Sequence, residues 1–207
     1  MARYIGPKFK IDRRLGSNLM LKGERSRSPK HPLEKKGAVP PGQHGIRSLK
    51  RKPSDYSIQL KEKQKVKYMY GLLERQFKRF FQLASKSKGK TGEKLLELLE
   101  RRLDNVIYRL SFASSRAQAR QMVSHGHIIV NDKKVNIPSY ITAVNDIISV
   151  KPTSSGLELI KKSLKESSDL PPWLDRKGTV GKVKSLPGRD VAPAEINEQL
   201  IVEYYSR

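Results

Sequence analysis

The chain has 207 residues, no cysteine, and 43 Lys and Arg against 20 Asp and Glu, a formal net charge of +23. Such a balance calls for a polyanionic partner, while the missing cysteines exclude disulfides and thiol nucleophiles and fit a reducing compartment. With 36% apolar and 7% aromatic residues, the chain supports one or two modest cores rather than a large free-standing enzyme core.

The charge is unevenly placed. Residues 1–97 hold 26 basic and 8 acidic side chains, residues 98–151 hold 8 and 4, and residues 152–207 hold 9 and 8. The positive field therefore belongs mainly to the N-terminal half. No apolar run approaches the roughly 20 residues that span a bilayer. Met1–Pro7 lacks the apolar centre of a secretory signal, so a soluble, cytoplasmic protein is expected. The cations are spread through helices, turns and loops rather than gathered opposite Trp, Phe and Leu, which argues against a membrane partner.

Residues 1–55 are dense in breakers, including Gly6-Pro7, Ser28-Pro29, His31-Pro32, Pro40-Pro41-Gly42 and Pro53, and read as an irregular basic arm. Its small groups of cations suit contacts to several separate phosphates. Candidates are Arg3, Arg13, Arg14, Lys22, Arg25, Arg47, Lys50, Arg51 and Lys52. From Ser54 to Leu83, apolar residues recur at three- and four-residue spacings with a break at Gly71, which predicts two helices. Lys61 and Lys65 share one side of the first and join the candidates, while Lys63 and Lys67 lie about 200° away from them around the axis.

Residues 85–92 form a linker by composition. Ala84 followed by Gly89-Lys90-Thr91 mimics a relaxed phosphate-binding loop, but a helical pattern precedes it where a buried strand is needed, and Ala replaces the first glycine. Nucleotide binding is accordingly not expected.

Leu99, Leu103, Val106 and Leu110 make an apolar stripe at helical spacing, with Arg101, Asn105 and Arg109 on another face. Ser115 with Gln118 resembles a capping box, and Gly126 ends the same helix of about three turns. On that helix Arg116 and Arg120 share a face. A cation at a helix's first turn is disfavoured by about 0.3–1 kcal/mol, a cost that a bound phosphate would reverse at Arg116. After Gly126 the period changes. Ile128–Val130, the turn Asn131-Asp132 and Lys133-Lys134-Val135 predict a hairpin, and Ile147–Val150 a third strand. Arg102, Arg116, Arg120, Gln121, His125, His127, Asn131, Lys133 and Lys134 together read as an RNA clamp.

His125 and His127 flank a turn glycine with no nucleophile elbow nearby, so catalysis is not expected; contact with RNA and a plain structural role both stay open. Asp104 fits the orientation of an arginine better than acid–base work. Beyond residue 151 the basic excess vanishes, Pro171-Pro172-Trp173 offers an aromatic anchor with a core role, and Leu200–Tyr204 reads as a final strand.

The helix, capped helix and glycine-led hairpin of residues 98–151 resemble the small RNA-binding domain named after the fourth protein of the small ribosomal subunit. Arg3-Tyr4-Ile5-Gly6-Pro7, Leu21-Lys22-Gly23-Glu24-Arg25, Pro41-Gly42-Gln43-His44-Gly45, Ser54-Asp55-Tyr56, Glu74-Arg75-Gln76-Phe77 and Glu203-Tyr204-Tyr205-Ser206-Arg207 extend the resemblance to that ribosomal-protein family over essentially the whole chain. The resemblance implies a primary binder of small-subunit (16S-type) rRNA that nucleates assembly of the subunit body. It also implies contact with the fifth small-subunit protein, an effect on decoding accuracy, and a basic segment along the messenger's path, here Arg47, Lys50, Arg51 and Lys52. Part of the family holds zinc or an iron–sulfur cluster on four N-terminal cysteines; the corresponding positions here are Phe9, Asp12, Ser26 and His31. A structural zinc wants four N or S ligands, so no metal is expected, with packing around Phe9 in its place.

The expectation is an α+β protein of three parts: a basic, mostly helical N-terminal domain with its irregular arm (1–97), the small helix-helix-hairpin RNA-binding domain (98–151), and a C-terminal extension packing back on the body (152–207). The resemblance further leads us to expect a non-enzymatic, rRNA-binding component of the small subunit in cytoplasmic or organellar ribosomes, with no cofactor, small-molecule substrate or membrane partner. An RNA-modifying enzyme carrying the same targeting domain is the alternative, disfavoured because 56 residues after the module are too few for a catalytic domain. An architectural DNA binder is the other, since net charge alone does not separate the two nucleic acids.

Overall fold

The computed structural model describes residues 3–50, 52–155, 160, 170–191, 193 and 196–206. The chain divides into two compact units, residues 1–92 with 194–207, and residues 93–193. The helices of the N-terminal half are α1 (Lys8–Leu15), α2 (Glu24–Arg27), α3 (Pro32–Lys36), α4 (Gly45–Leu49), α5 (Asp55–Met69) and α6 (Glu74–Lys86). Then come α7 (Thr91–Glu100), α8 (Leu103–Arg109), α9 (Arg116–Ser124), β1 (Ile128–Val130), β2 (Lys133–Lys134) and β3 (Ile147–Val150). They are followed by α10 (Pro152–Ser155), β4 (Leu174–Lys177), β5 (Val180–Val183) and α11 (Glu198–Tyr205).

The first 55 residues are more regular than their breakers imply. The breakers bound the helices instead of abolishing them: Pro7 precedes α1, Gly16 at φ 72° ends it, and Pro32 opens α3. The apolar period of α1 was masked because only Ile11 is a buried hydrophobe there, and its buried neighbour is Asp12. Ser54 caps α5 through the Ser57 N–H at 3.3 Å, and Gly71, at φ 65°, separates α5 from α6 as predicted.

Leu200–Tyr204, expected as a strand, is helical. Asn197 caps α11 by accepting from the N–H groups of Gln199 and Leu200, and Ile201 is buried. A β-branched run needs a sheet neighbour to become a strand, and its neighbour in this unit is α5. Gln59 Nε2 on α5 donates to Glu203 at 2.9 Å, and the Tyr205 ring stacks on Phe81 of α6 with centroids 4.6 Å apart.

In the second unit five antiparallel strands lie in the order β2-β1-β3-β5-β4. Asn131 (φ 47°) and Asp132 (φ 63°) form the left-handed two-residue turn between β1 and β2 and set the register Ile129 opposite Lys134. The strands β4 and β5 had no signal in the sequence beyond Gly178, because LDRK and VGKV are too short and polar to read as strands alone. Residues 170–191 thus complete this sheet, whereas 196–206 belong to the other unit.

The stripe Leu99–Leu110 is two helices, not one. At the break, Arg102 is extended and bridges Ile141, Leu103 N–H donates to Tyr140 O at 2.8 Å, and Thr142 N–H to Arg101 O at 2.9 Å. Leu99 of α7, Leu103 and Val106 of α8, and Leu110 at the C-cap of α8 are all fully buried. Leu103, Val106, Ile107, Leu110, Phe112, Val123, Ile128, Ile148, Trp173 and Val183 form the core. Burial of each such large side chain contributes roughly 1.5–3 kcal/mol.

Candidate nucleic-acid interface

In the first unit, Arg14, Lys22, Arg25, Arg47, Lys50, Lys52 and Lys61 are exposed, as is Arg3. Arg3 and Lys22 lie close enough to Lys8 that burial, then these two positive charges, hold the Lys8 ammonium below its usual pKa. Arg25 lies over the Phe9 ring, 5.7 Å from its centroid. Two candidates are committed internally. Arg13 donates to the carbonyls of Val39 (3.0 Å) and Pro40 (3.4 Å), fixing the loop before α4, and Lys65 pairs with Glu62 at 3.4 Å. Arg51 lies outside the described residues.

The clamp of the second unit is built differently from the expected exposed set. Arg102 is fully buried and gives Asp104 a two-pronged contact, Nη2 to Oδ2 at 2.7 Å and Nε to Oδ1 at 3.1 Å. Arg120, 7% exposed, points Nη1 at the same Oδ2 from 3.5 Å. Both arginines are therefore struts of the fold, because Asp104 draws them inward and two desolvated cations need that carboxylate. Asp104 does orient arginines, as the sequence suggested.

Arg116 is half-buried at the start of α9, its Nε 2.7 Å from Asn105 Oδ1 and its guanidinium 4.6 Å over the Tyr108 ring. Asn105 in turn donates to buried Glu100 at 2.6 Å, and Glu100 also accepts two bonds from Arg109, at 2.7 and 3.0 Å. The helix-dipole cost at Arg116 is thus offset within the protein by a ring face and an amide oxygen. Ser115 caps α9, but Gln118 Oε1 accepts from Ser114 rather than closing the box on Ser115.

The exposed part of the clamp is Gln121, His125, Asn131, Lys133 and Lys134, with His127 half-buried. Asn131 is anchored, giving Nδ2 to Asp146 at 2.8 Å and accepting the Ile147 N–H at 2.9 Å, so it fixes the hairpin that carries Lys133 and Lys134. A Cβ on Gly126, at φ 72°, would collide with the Lys134 side-chain end, so the glycine lets that lysine lie across the turn.

Sequence reasoning passed over the exposed Arg75, Lys78, Arg79 and Lys86 of α6, whose spacing was read only for its apolar side. By contrast Lys63 and Lys67 of α5 both bind Glu74, at 2.8 and 3.1 Å. Glu74 also accepts from the Tyr205 hydroxyl at 2.8 Å. Burial works to raise the Glu74 pKa, but the bonds from Lys63, Tyr205 and Lys67 outweigh it and hold the carboxyl below its usual value. Burial and then Glu74 push the Tyr205 hydroxyl upward, keeping it a donor.

At the positions where part of the family places cysteines, the residues do not fit a metal. His31 Nε2 donates to Asp12 Oδ2 at 3.1 Å, the two oriented by the Leu33 N–H on His31 Nδ1, and both are buried. Ser26 Oγ accepts the Lys22 N–H at 3.0 Å, and the Phe9 ring meets His31 edge-on with centroids 4.8 Å apart. Two donors spent on each other, one engaged hydroxyl and one hydrocarbon ring make no tetrahedral site. Burial raises the Asp12 pKa, with the His31 and Leu19 bonds opposing it.

Residues 3–100 match the family described as the ribosomal protein S4/S9 N-terminal domain, and residues 101–148 match the S4 domain. Over its full length the chain is 52% identical to all of the small ribosomal subunit protein uS4A of Symbiobacterium thermophilum. This chain belongs to the uS4 family. Full-length identity is 51% to the uS4 proteins of Chloroflexus aurantiacus and of Thermus thermophilus. The uS4 family is structural rather than enzymatic, which removes the RNA-modifying alternative. Its α+β organisation, a helical N-terminal domain followed by the S4 domain, is the one described above.

Proposed function

We propose that the chain works as its uS4 relatives are named to, in the small ribosomal subunit, where it binds the subunit's rRNA early and nucleates assembly of the body. The observation that carries this reading is the separation of internal from outward cations. Asp104 and Glu100 hold Arg102, Arg120 and Arg109 in place, leaving Lys133, Lys134, His125 and Gln121 exposed on a rigid support. In the other unit Lys22, Arg14 and Arg25 are left outward on short helices and a turn, and Arg3 on the segment before α1. Phosphate contacts of this kind set orientation, and selectivity then comes from the shape of the RNA junction.

Three finer parts of the reading follow the resemblance. Arg47, Lys50, Arg51 and Lys52 would face messenger RNA on its path into the ribosome, the protein would touch the fifth small-subunit protein, and it would affect decoding accuracy. Reconstitution of the small subunit from rRNA and purified proteins tests the central part. Leaving this chain out is expected to stop later-joining proteins from entering the particle body, and adding it back first to restore them. A complete particle formed without it would overturn the reading.

A further inference from the structure

We propose that the outer face of α6 is a second RNA-backbone site, formed by Arg75, Lys78, Arg79 and Lys86 with Gln82 between them. At about 100° per residue these five side chains fall within an arc of about 100°, opposite the buried Phe77, Phe80 and Ala84. They extend over about 16 Å of helix axis at 1.5 Å per residue. All five are exposed, and among the described residues none of the four cations is bonded to a carboxylate.

That is the reverse of α5, where Lys63, Lys65 and Lys67 are each matched to Glu62 or Glu74. The one acid of α6, Glu74, is held by Lys63, Lys67 and Tyr205 and, among the described residues, forms no ion pair with the outer-face cations. Like charges three and four apart, as at Arg75, Lys78 and Arg79, oppose the helix. Exposed Lys88 continues the positive run past the helix end. A linear row of uncompensated cations with an amide between them fits a row of phosphates and 2′-hydroxyls along an RNA duplex. An apolar membrane or protein partner would find only Leu83 there.

The inference rests on the rRNA-binding reading above and deepens it. The full chain and the variant Arg75→Gln, Lys78→Gln, Arg79→Gln, Lys86→Gln are compared for binding to small-subunit rRNA across a salt series, with backbone footprinting of both. Unchanged circular dichroism is expected, since the four side chains are exposed. The variant should bind more weakly, lower the slope of log K against log salt by about three, and lose one discrete group of protected riboses. An unchanged slope and footprint with a binding wild type overturns the α6 site alone. So does a uniform weakening of every protection, which would mark a bulk charge effect. Failure of the wild-type chain to bind rRNA overturns the underlying reading and this one with it.

Discussion

Asp104→Ala is expected to destabilise the second unit by about 3–5 kcal/mol, because it removes the carboxylate that two buried guanidiniums contact. Arg102 is 0% exposed and Arg120 7%, and Asp104 is the carboxylate that both face. Arg102 sits in the turn that Leu103 and Thr142 hold through backbone bonds, and Arg120 reaches the same carboxylate from α9. Urea unfolding followed by the fluorescence of Trp173, the only tryptophan, reads this unit selectively. Asp104→Asn keeps an acceptor and should lose less than the alanine variant. A shift below about 1 kcal/mol for Asp104→Ala would contradict the account of Arg102 and Arg120 as struts.

Trp173→Ala is the second large effect, about 3–5 kcal/mol from lost burial and the cavity left behind. Trp173 is 2% exposed in the core formed with Leu103, Phe112, Ile148 and Val183. Its indole N–H finds no acceptor among the described residues, and its apolar packing in this core is the contribution that the substitution tests. Trp173→Phe should therefore cost much less, about 1.5 kcal/mol or below. Thermal unfolding watched by far-ultraviolet circular dichroism distinguishes the two variants. Equal losses for Phe and Ala would show that the ring's bulk is not what the core uses.

The parts of the fold legible in the sequence are those where a local device acts by itself. Ser115, Gly71 and the Asn131-Asp132 turn place their elements because caps and positive-φ turns need only a few neighbouring residues. What was not legible depends on distant partners. Leu200–Tyr204 has the composition of a strand and is a helix because α5 and Asn197 receive it. The strands β4 and β5 exist because β3 offers an edge.

The candidate site divides along the same line. Charge and spacing identified which side chains are cationic and where clusters fall, but not which of them the protein keeps for itself. Arg13, Lys65, Arg102 and Arg120 were indistinguishable in the sequence from Arg14, Lys61, Lys133 and Lys134. The difference is made by Val39, Glu62 and Asp104, contacts that a count of charge does not contain. At Phe9, Asp12, Ser26 and His31 the residue types alone sufficed, since hydrocarbon and a hydroxyl cannot replace thiolates.

The central claim, that outward cations on a rigid support bind folded rRNA through its phosphates, is tested most directly by filter binding. Full-length protein is titrated with a small-subunit rRNA junction between about 50 and 200 mM salt, with duplex DNA as competitor. Six to ten phosphate contacts predict a loss of about a thousandfold or more across that range, by analogy with duplex DNA, and poor competition by the DNA. Affinity that does not move with salt, or DNA that displaces the junction as well as the junction displaces itself, would contradict it.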